Sequence, residues 1–368
     1  MDRLTKTLLP VAFILVSSAG PLLAQDVLAP GDQTTRVATR GANFLTLPVG
    51  AKSQGMAGSG SALASGIPAL YWNTAAIAFD EGTRVGLSYS PLYGSLDITH
   101  SFAGFILPLG TSRIGLSLNV LSSGEILATS ENYPEGNDPD LGVGEANFEW
   151  NSTAVGLHLA RPITDRLAVG IAGKYITEGI SGAKATFVAV DLSTIFHLGL
   201  FGSTLAASYV NIGTEGSMSG QRVNRNIVDD NLFETGRVVG AAFQTRQVEL
   251  PAGFYFGFAM ELVGGPDAAF TPSSDHRLTL ALDGVELNES PFTPRVGFEY
   301  GYRDLVFLRA GKRWSNELYG ENDFFGHLFS FGGGLRVPMG GREVRLDYAY
   351  TEFGQLDNVQ VFSFELAF

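Results

Sequence analysis

Chemistry in a protein needs particular side chains at particular spacings, and this chain of 368 residues has few of them. Its five histidines (His100, His158, His197, His276 and His327) fall in separate segments, and no two have the spacing of a helical or hairpin metal site. There is no G-x-S-x-G element and no P-loop. A lipase built on strands would need an activated Ser with a His across neighbouring strands, and nothing in the sequence singles out such a pair. Zero cysteines exclude thiolate catalysis, Cys-bound zinc, disulfides and a lipid-anchored N-terminal cysteine. Residues 131–145 (ENYPEGNDPDLGVGE) cluster Asn137, Asp138, Asp140 and Glu145, which could offer oxygen ligands to calcium. The pattern is far from an EF-hand, and a solvated acidic loop is the plainer reading. The chain therefore reads as a non-enzyme with no cofactor and no metal.

One other set of reactive side chains stands out by where it sits. Asp191, Asp283, Glu299, Arg309, Arg336, Glu343, Arg345 and Asp347 are charged residues inside otherwise apolar strands. A charge in such a strand must face water or an opposite charge. That makes them candidates for the lining of an interior, as an ion-pair ladder, a polar path or a docking surface.

The elements that must position them alternate with period two. Val85, Leu87 and Tyr89 alternate with Arg84, Gly86 and Ser88; Ile114, Leu116, Leu118 and Val120 alternate with Arg113, Gly115, Ser117 and Asn119. Alternation predicts antiparallel strands with one apolar face, in a soluble sandwich or a membrane barrel alike. Length decides between them. The segments run to about 10–12 residues, beyond the usual strand and near the bilayer crossing length. About fourteen are predicted, near 83–91, 97–108, 112–123, 148–161, 166–179, 184–198, 202–212, 252–264, 275–286, 292–301, 304–314, 324–338, 341–352 and 357–368. Short turns (Gly110-Thr111, Ile163–Asp165, Gly199–Phe201, Tyr302-Arg303, Met339-Gly340) alternate with longer loops at 124–147, 213–251 and 315–323. That asymmetry is the mark of an outer-membrane barrel. Residues 265–274 break it, as a decorated turn or because a strand lies within 213–251, where Gly236–Gln247 is the best candidate. A turn at Met339-Gly340 sets Leu335 against Val344, Phe331 against Tyr348, Phe329 against Tyr350 and Arg336 against Glu343. Arg336, Arg345 and Asp347 then face the lumen, with the apolar face toward lipid.

The expected fold class is all-β: a transmembrane antiparallel β-barrel of about fourteen strands with a short N-terminal plug in the lumen. Its last strand, Gln360–Phe368, puts Phe362, Phe364, Leu366 and Phe368 on one face. Such a terminal aromatic strand resembles the signal read by the outer-membrane assembly machinery. Closing it onto 83–91 would remove an exposed apolar edge.

Composition agrees with a membrane barrel. The charged fraction is 17% and the hydrophobic fraction 45%, against about 25% charged for soluble domains. A net charge of −13 gives no reason to bind nucleic acid. Residues 1–24 read as a signal peptide, with Arg3 and Lys6 ahead of apolar Leu8–Val16 and cleavage after Ala24. Residues 25–40 read as a polar periplasmic lead-in, 41–79 as the plug and 80–368 as the barrel. The plug assignment rests on Gly41–Phe79, rich in Gly, Ala and Ser with one charge, Lys52. It is too apolar for a solvated tail and too poor in large side chains for its own core, and its small residues allow close backbone approach. Gly50, Gly55 and Gly58 permit tight packing; Met56, Tyr71 and Trp72 supply anchors; Asn73 follows.

Within this stretch Gly41, Phe44-Leu45, Gly50-Ala51, Gly55-Met56-Ala57-Gly58 and Tyr71-Trp72-Asn73 resemble the N-terminal signature of the PorV/PorQ family, outer-membrane barrels similar to the FadL fatty-acid channels. The family continues Asn-Pro-Ala-Gly where this chain has Asn73-Thr74-Ala75-Ala76. Ala207–Gly213, ending Asn211-Ile212-Gly213, and Leu250-Pro251 resemble two further family segments. The resemblance spans about Gly41 to Phe368. It implies an outer-membrane protein of a Gram-negative-type bacterium, with the lipid bilayer and the barrel assembly machinery as partners. PorV-like members imply a role in type IX protein secretion or surface attachment, with secretion-system subunits as partners. FadL-like members imply passage of small hydrophobic molecules through a plugged lumen with a lateral exit.

Overall fold

The computed structural model describes residues 39–368 except 95, 130–132, 135–146, 181, 221–222, 229–237, 243–244, 315–328 and 354–355. The expected signal peptide, all but residues 39–40 of the lead-in, and most of the calcium-loop candidate lie outside these residues.

Fourteen strands form one closed antiparallel barrel: β1 (Arg84–Leu92), β2 (Ile98–Leu109), β3 (Ser112–Ser122), β4 (Trp150–Pro162), β5 (Leu167–Ile180), β6 (Ala183–His197), β7 (Thr204–Gly213), β8 (Gly253–Gly264), β9 (His276–Leu287), β10 (Ser290–Tyr302), β11 (Val306–Arg313), β12 (Phe329–Met339), β13 (Arg342–Phe353) and β14 (Leu356–Ala367). Each pairs with its sequence neighbours, and β14 closes on β1 from Arg84↔Ala367 to Tyr89↔Phe362. Closure leaves the barrel itself no edge strand to template aggregation.

The period-two pattern has its expected physical cause. In β5, Val169 and Ile171 are exposed while Ala168, Gly170 and Ala172 between them are buried. The same alternation exposes Leu87, Leu116, Leu157, Leu192, Leu308 and Phe331. A continuous outer band of Leu, Val and Phe is unfavourable in water and favourable in hydrocarbon. Inward positions instead carry small, polar or charged residues, together with larger apolar ones such as Ile106, Ile176 and Phe187 that pack against residues 41–79.

One local reading is corrected and one open choice is resolved. The β12–β13 turn is Gly340-Gly341, since Met339 pairs with Arg342. Both glycines have positive φ, 55° and 85°, the geometry of the hairpin turn that follows strand twist. The register therefore moves by two: Leu335 faces Leu346, Phe331 faces Tyr350 and Arg336 faces Arg345. A shift of two preserves faces, and Arg336 still reaches Glu343 diagonally at 3.2 Å. Within 213–251, Asn224–Val228 and Val238–Ala242 pair with each other in a separate two-stranded sheet and add nothing to the barrel. Residues 265–275 are a decorated turn, in which Thr271–Pro272 pairs in parallel with Val263–Gly264.

The strand directions put the turns 110–111, 163–166, 198–203, 303–305 and 340–341 at one end, with 265–275. The strand ends that flank 123–149, 214–252 and 314–328 lie at the other. These are called the short-turn and long-loop ends.

Residues 41–79 form no strand. They make two single-turn helices, α1 (Ala51–Gln54) and α2 (Ala69–Trp72), and 3-10 turns at Asn43–Thr46 and Thr74–Phe79. Ala42, Ala51, Met56, Ala69, Leu70, Trp72 and Ile77 have almost no exposure, and their neighbours are the inward residues of the wall. The segment starts at the long-loop end, where Gly41 N–H donates to Glu249 O at 2.9 Å and Arg40 pairs with Glu249. It finishes at the short-turn end, where Arg113 Nε donates to Asp80 O at 2.9 Å. The path runs from one end to the other.

Candidate functional site

The interior is built from residues 41–79 and the inward side chains of the wall. Single-turn helices leave most backbone N–H groups without intrahelical partners. Irregular backbone between such turns has free N–H groups too, and carboxylates of the wall and of Asp80 accept four of these. Ala42 N–H donates to Glu178 at 2.8 Å, Ser61 N–H to Asp283 at 2.8 Å, Gly66 N–H to Asp80 at 2.9 Å and Ile67 N–H to Glu365 at 2.8 Å. Hydroxyls accept others: Ala51 N–H donates to Ser363 and Ala75 N–H to Ser193, each at 2.9 Å. Bonds to a charged acceptor contribute about 1.5–3 kcal/mol each. Burial pushes the Asp80 carboxyl above its ordinary range, with the Arg84 guanidinium opposing the shift.

The segment's anchors are equally specific. Trp72 donates its indole N–H to Val49 O at 2.8 Å, and its own carbonyl accepts from Ser208 at 3.1 Å. Its ring meets Tyr71 edge-on at 5.0 Å and Tyr255 at 6.1 Å, and the Arg295 guanidinium lies 5.9 Å above it. Tyr71 O–H donates to Leu45 O at 3.1 Å. Asn73 caps the following 3-10 turn by accepting from Ala75 N–H, and its amide donates to Thr194 O at 2.9 Å. Met56 lies against two wall glycines: a Cβ at Gly311 would sit 2.3 Å from the Met56 carbonyl carbon, and one at Gly297 2.6 Å from the Met56 Cβ. Gly55 meets Gly332 backbone to backbone. Gly50 and Gly58 have φ of 85° and 81°, values open to glycine and costly for other residues.

All eight strand charges singled out in the sequence sit on the face opposite the exposed apolar residues, and most meet partners there. Arg309 is the hub, donating to Glu299 and Asp347 at 2.6 Å each and linking β10, β11 and β13. Arg345 contacts Glu343 at 2.5 Å and lies 3.9 Å from Glu365; Arg336 reaches Glu343 from the other side. Asp191 takes Lys174 at 2.5 Å and accepts from Asn211 N–H at 2.8 Å. Asp283 stands apart from this network and holds Ser61. Sequence reasoning missed several members: Lys52, which donates to Leu63 O at 3.1 Å and lies 4.0 Å from Glu299; Arg84, paired with Glu365 at 2.6 Å; and Lys174, Glu178, Arg295 and Glu365. Charge within an apolar strand was the available signal for each strand residue. Asn211 and Pro251, from the two further motifs, touch directly: Asn211 donates to Pro251 O at 3.1 Å.

Of the described histidines, His100 and His158 are buried. His158, fully buried, bonds Thr74 at 2.9 Å through Nδ1 and Ser117 at 2.8 Å through Nε2. This is the Ser–His pair across neighbouring strands that sequence inspection did not single out. Its second nitrogen faces a hydroxyl of the inserted segment and not a carboxylate, and no substrate can reach a fully buried imidazole. His100 bonds Asn119, His197 bonds Thr204 and His276 bonds Tyr300; His327 is outside the described residues. No group of three potential metal ligands occurs among the described residues.

In the closing strand, Phe362, Phe364 and Phe368 are exposed on the outer face and Leu366 half-buried. Thr83 and Phe368 exchange two backbone bonds at the seam, at 2.7 and 2.9 Å.

Three spaces adjoin the inserted segment or the wall beside it. An inner chamber of about 140 Å³ lies between Val49, Lys52 and Ile67 on one side and Arg309, Arg345, Asp347 and Glu365 on the other. A vestibule of about 440 Å³ shares Lys52, Ser65, Arg277 and Glu299 with it and reaches Phe79, His197 and Gly202 near the short-turn end. A groove of about 520 Å³ lies on the outer wall around Gly333.

No protein-family model matches this chain, and no curated protein matches its sequence. Solved structures do. The toluene transporter TodX of Pseudomonas putida superposes with TM-score 0.53 at 14% identity, covering 86% of this chain and 96% of that one. The toluene transporter TbuX of Ralstonia pickettii gives 0.53 at 11% identity, covering 87% and 98%. A Pseudomonas aeruginosa FadL homologue gives 0.50 at 12% identity, covering 87% and 98%. The fold is that of the FadL-like barrels. At these identities the likeness concerns fold alone.

Proposed function

We propose that this chain is an outer-membrane channel for small hydrophobic molecules, with residues 41–79 as its plug. The supporting observation is the inner chamber, bounded by the inserted segment and the wall, in a barrel whose fold is shared with hydrocarbon channels. The chamber's volume of about 140 Å³ is near the ~150 Å³ in which an apolar cavity holds benzene, and its lining mixes Val49, Ile67 and Phe102 with the paired charges of the wall. The wall carboxylates and glycines that hold residues 41–79 make a plug that fits this barrel closely. The signal peptide ending at Ala24 would direct export, and Phe362, Phe364, Leu366 and Phe368 would form the strand read by the assembly machinery. The reading is non-enzymatic. The PorV/PorQ likeness of the N-terminal motifs keeps a secretion role as the second reading, and the structural neighbours favour the first.

The test is uptake. Cells expressing the chain in a channel-deficient outer membrane should accumulate radiolabelled toluene faster than cells with an empty vector. Equal rates at verified surface levels of folded barrel would contradict the channel reading.

A further inference from the structure

Resting on the channel reading above, we propose that Lys52 is the residue that decides what passes between the chamber and the vestibule. Its side chain stands across their junction as a swinging bar, which yields to uncharged, apolar molecules and turns cations back. The segment that carries it stays seated.

The two spaces meet at Lys52, Ser65, Arg277 and Glu299. Two of the three charges there are tied to the wall. Glu299 takes Arg309 at 2.6 Å, and Arg277 lies 2.9 Å from Asp304 and 3.5 Å from Glu261. Lys52, the one charge of residues 41–79, is held more loosely. Its ammonium donates to Leu63 O at 3.1 Å, within the inserted segment, and stands 4.0 Å from Glu299, beyond hydrogen-bond reach. Its side chain keeps 25% exposure where that of Arg309 keeps 3%, so it borders the open volume. A lysine stem is a flexible chain of methylenes. Turning it aside breaks one hydrogen bond to a carbonyl and leaves no carboxylate unpaired, because Glu299 keeps Arg309.

The backbone beneath it has no such freedom. Ala51 N–H donates to Ser363 at 2.9 Å, Gly55 meets the backbone of Gly332, and Met56 lies on Gly297 and Gly311. Motion at the junction therefore belongs to the side chain. Selection follows from the same residue. The methylene stem offers an apolar surface to a hydrocarbon sliding past. A cation instead meets Lys52 and Arg277 together. The carboxylates that could offset them, Glu299, Glu261 and Asp304, are already paired, so the cation would lose hydration without gaining a counter-ion.

The chain has no cysteine, so single thiols report access. Ser88→Cys places one in the chamber lining and Thr279→Cys one in the vestibule, in the full chain reconstituted into phosphatidylcholine vesicles. Ser59→Cys, at a position with no exposure, reports loosening of the inserted segment. Two reagents are compared: uncharged N-ethylmaleimide and cationic trimethylammonium-ethyl methanethiosulfonate. At Ser88→Cys, adding Lys52→Ala should speed N-ethylmaleimide at least about tenfold, the factor that one hydrogen bond from a charged group is worth, and the cationic reagent by more. Lys52→Ser replaces Lys52→Ala if that chain does not fold. Adding Lys52→Arg should leave both rates near those of the lysine protein. Rates at Thr279→Cys should not change, and Ser59→Cys should stay unlabelled throughout. A Ser88→Cys rate indifferent to Lys52→Ala overturns the proposal, and equal acceleration of both reagents overturns selection by charge. Labelling of Ser59→Cys in the Lys52→Ala chain overturns a bar that moves on a seated segment. Labelling reads access and not cargo: the expected pattern without toluene uptake would sink the channel reading and leave the role of Lys52 standing.

Discussion

Met56 and the two glycines beneath it make one of the close fits between the inserted segment and the wall. Gly311 cannot carry a side chain without displacing the Met56 backbone, whereas Gly333, on the outer face of the neighbouring strand, has room. Gly311→Val should therefore cost about 1–3 kcal/mol as an overpacked contact, and Gly333→Val much less. Denaturant titration in lipid vesicles checks both, and equal sensitivities would show that Met56 does not seat on the wall. The interior charges were legible one residue at a time, because an Arg or Asp in a run of Leu and Val has one place to go. Their partners were not. Arg309 joins Glu299 and Asp347 from two different strands, and Asp80 and Glu365 bind backbone N–H groups of residues 66 and 67. Nothing local in the sequence encodes such contacts. Gly297, Gly311 and Gly332 did carry a signal, as strand glycines on the inward parity, each receiving a bulge of the inserted segment.

Among the elements, β13 tests face assignment. Leu346 is exposed on the apolar face, and Arg345 points inward beside Glu343. Leu346→Arg places a charge toward lipid and should cost about 2–4 kcal/mol near the midplane. Arg345→Leu should cost little, because Glu343 keeps Arg336 and Glu365 keeps Arg84. Reversed sensitivities in the same titration would mean the parity is wrong. Strand parity was readable because lipid outside and a packed interior inside enforce it at every second residue. The β12–β13 register was not, since Met339-Gly340-Gly341 allows two turns that leave every face unchanged; the positive φ of both glycines selects one. The closing strand gives a second test. Deleting Phe368 removes both seam bonds to Thr83 and the terminal aromatic. Heat-modifiable mobility of outer-membrane fractions should show reduced folded barrel; undiminished levels would exclude a role for Phe368 in assembly.

For the whole molecule, the central relation is between a fourteen-stranded wall and what occupies it. An eight-stranded barrel is about filled by its own side chains, so fourteen strands leave space that an insert or water must take. Here residues 41–79 run along that space, fastened by carboxylates and seated on glycines, and leave a chamber and a vestibule beside them. The account therefore makes residues 41–79 the element that limits passage. Single-channel conductance in planar bilayers tests this most directly, comparing the full chain with one lacking residues 41–79, each first shown to be folded by heat-modifiable mobility. A clear rise in conductance on removal is the predicted result. A folded, truncated barrel that conducts no more than the full chain would contradict it.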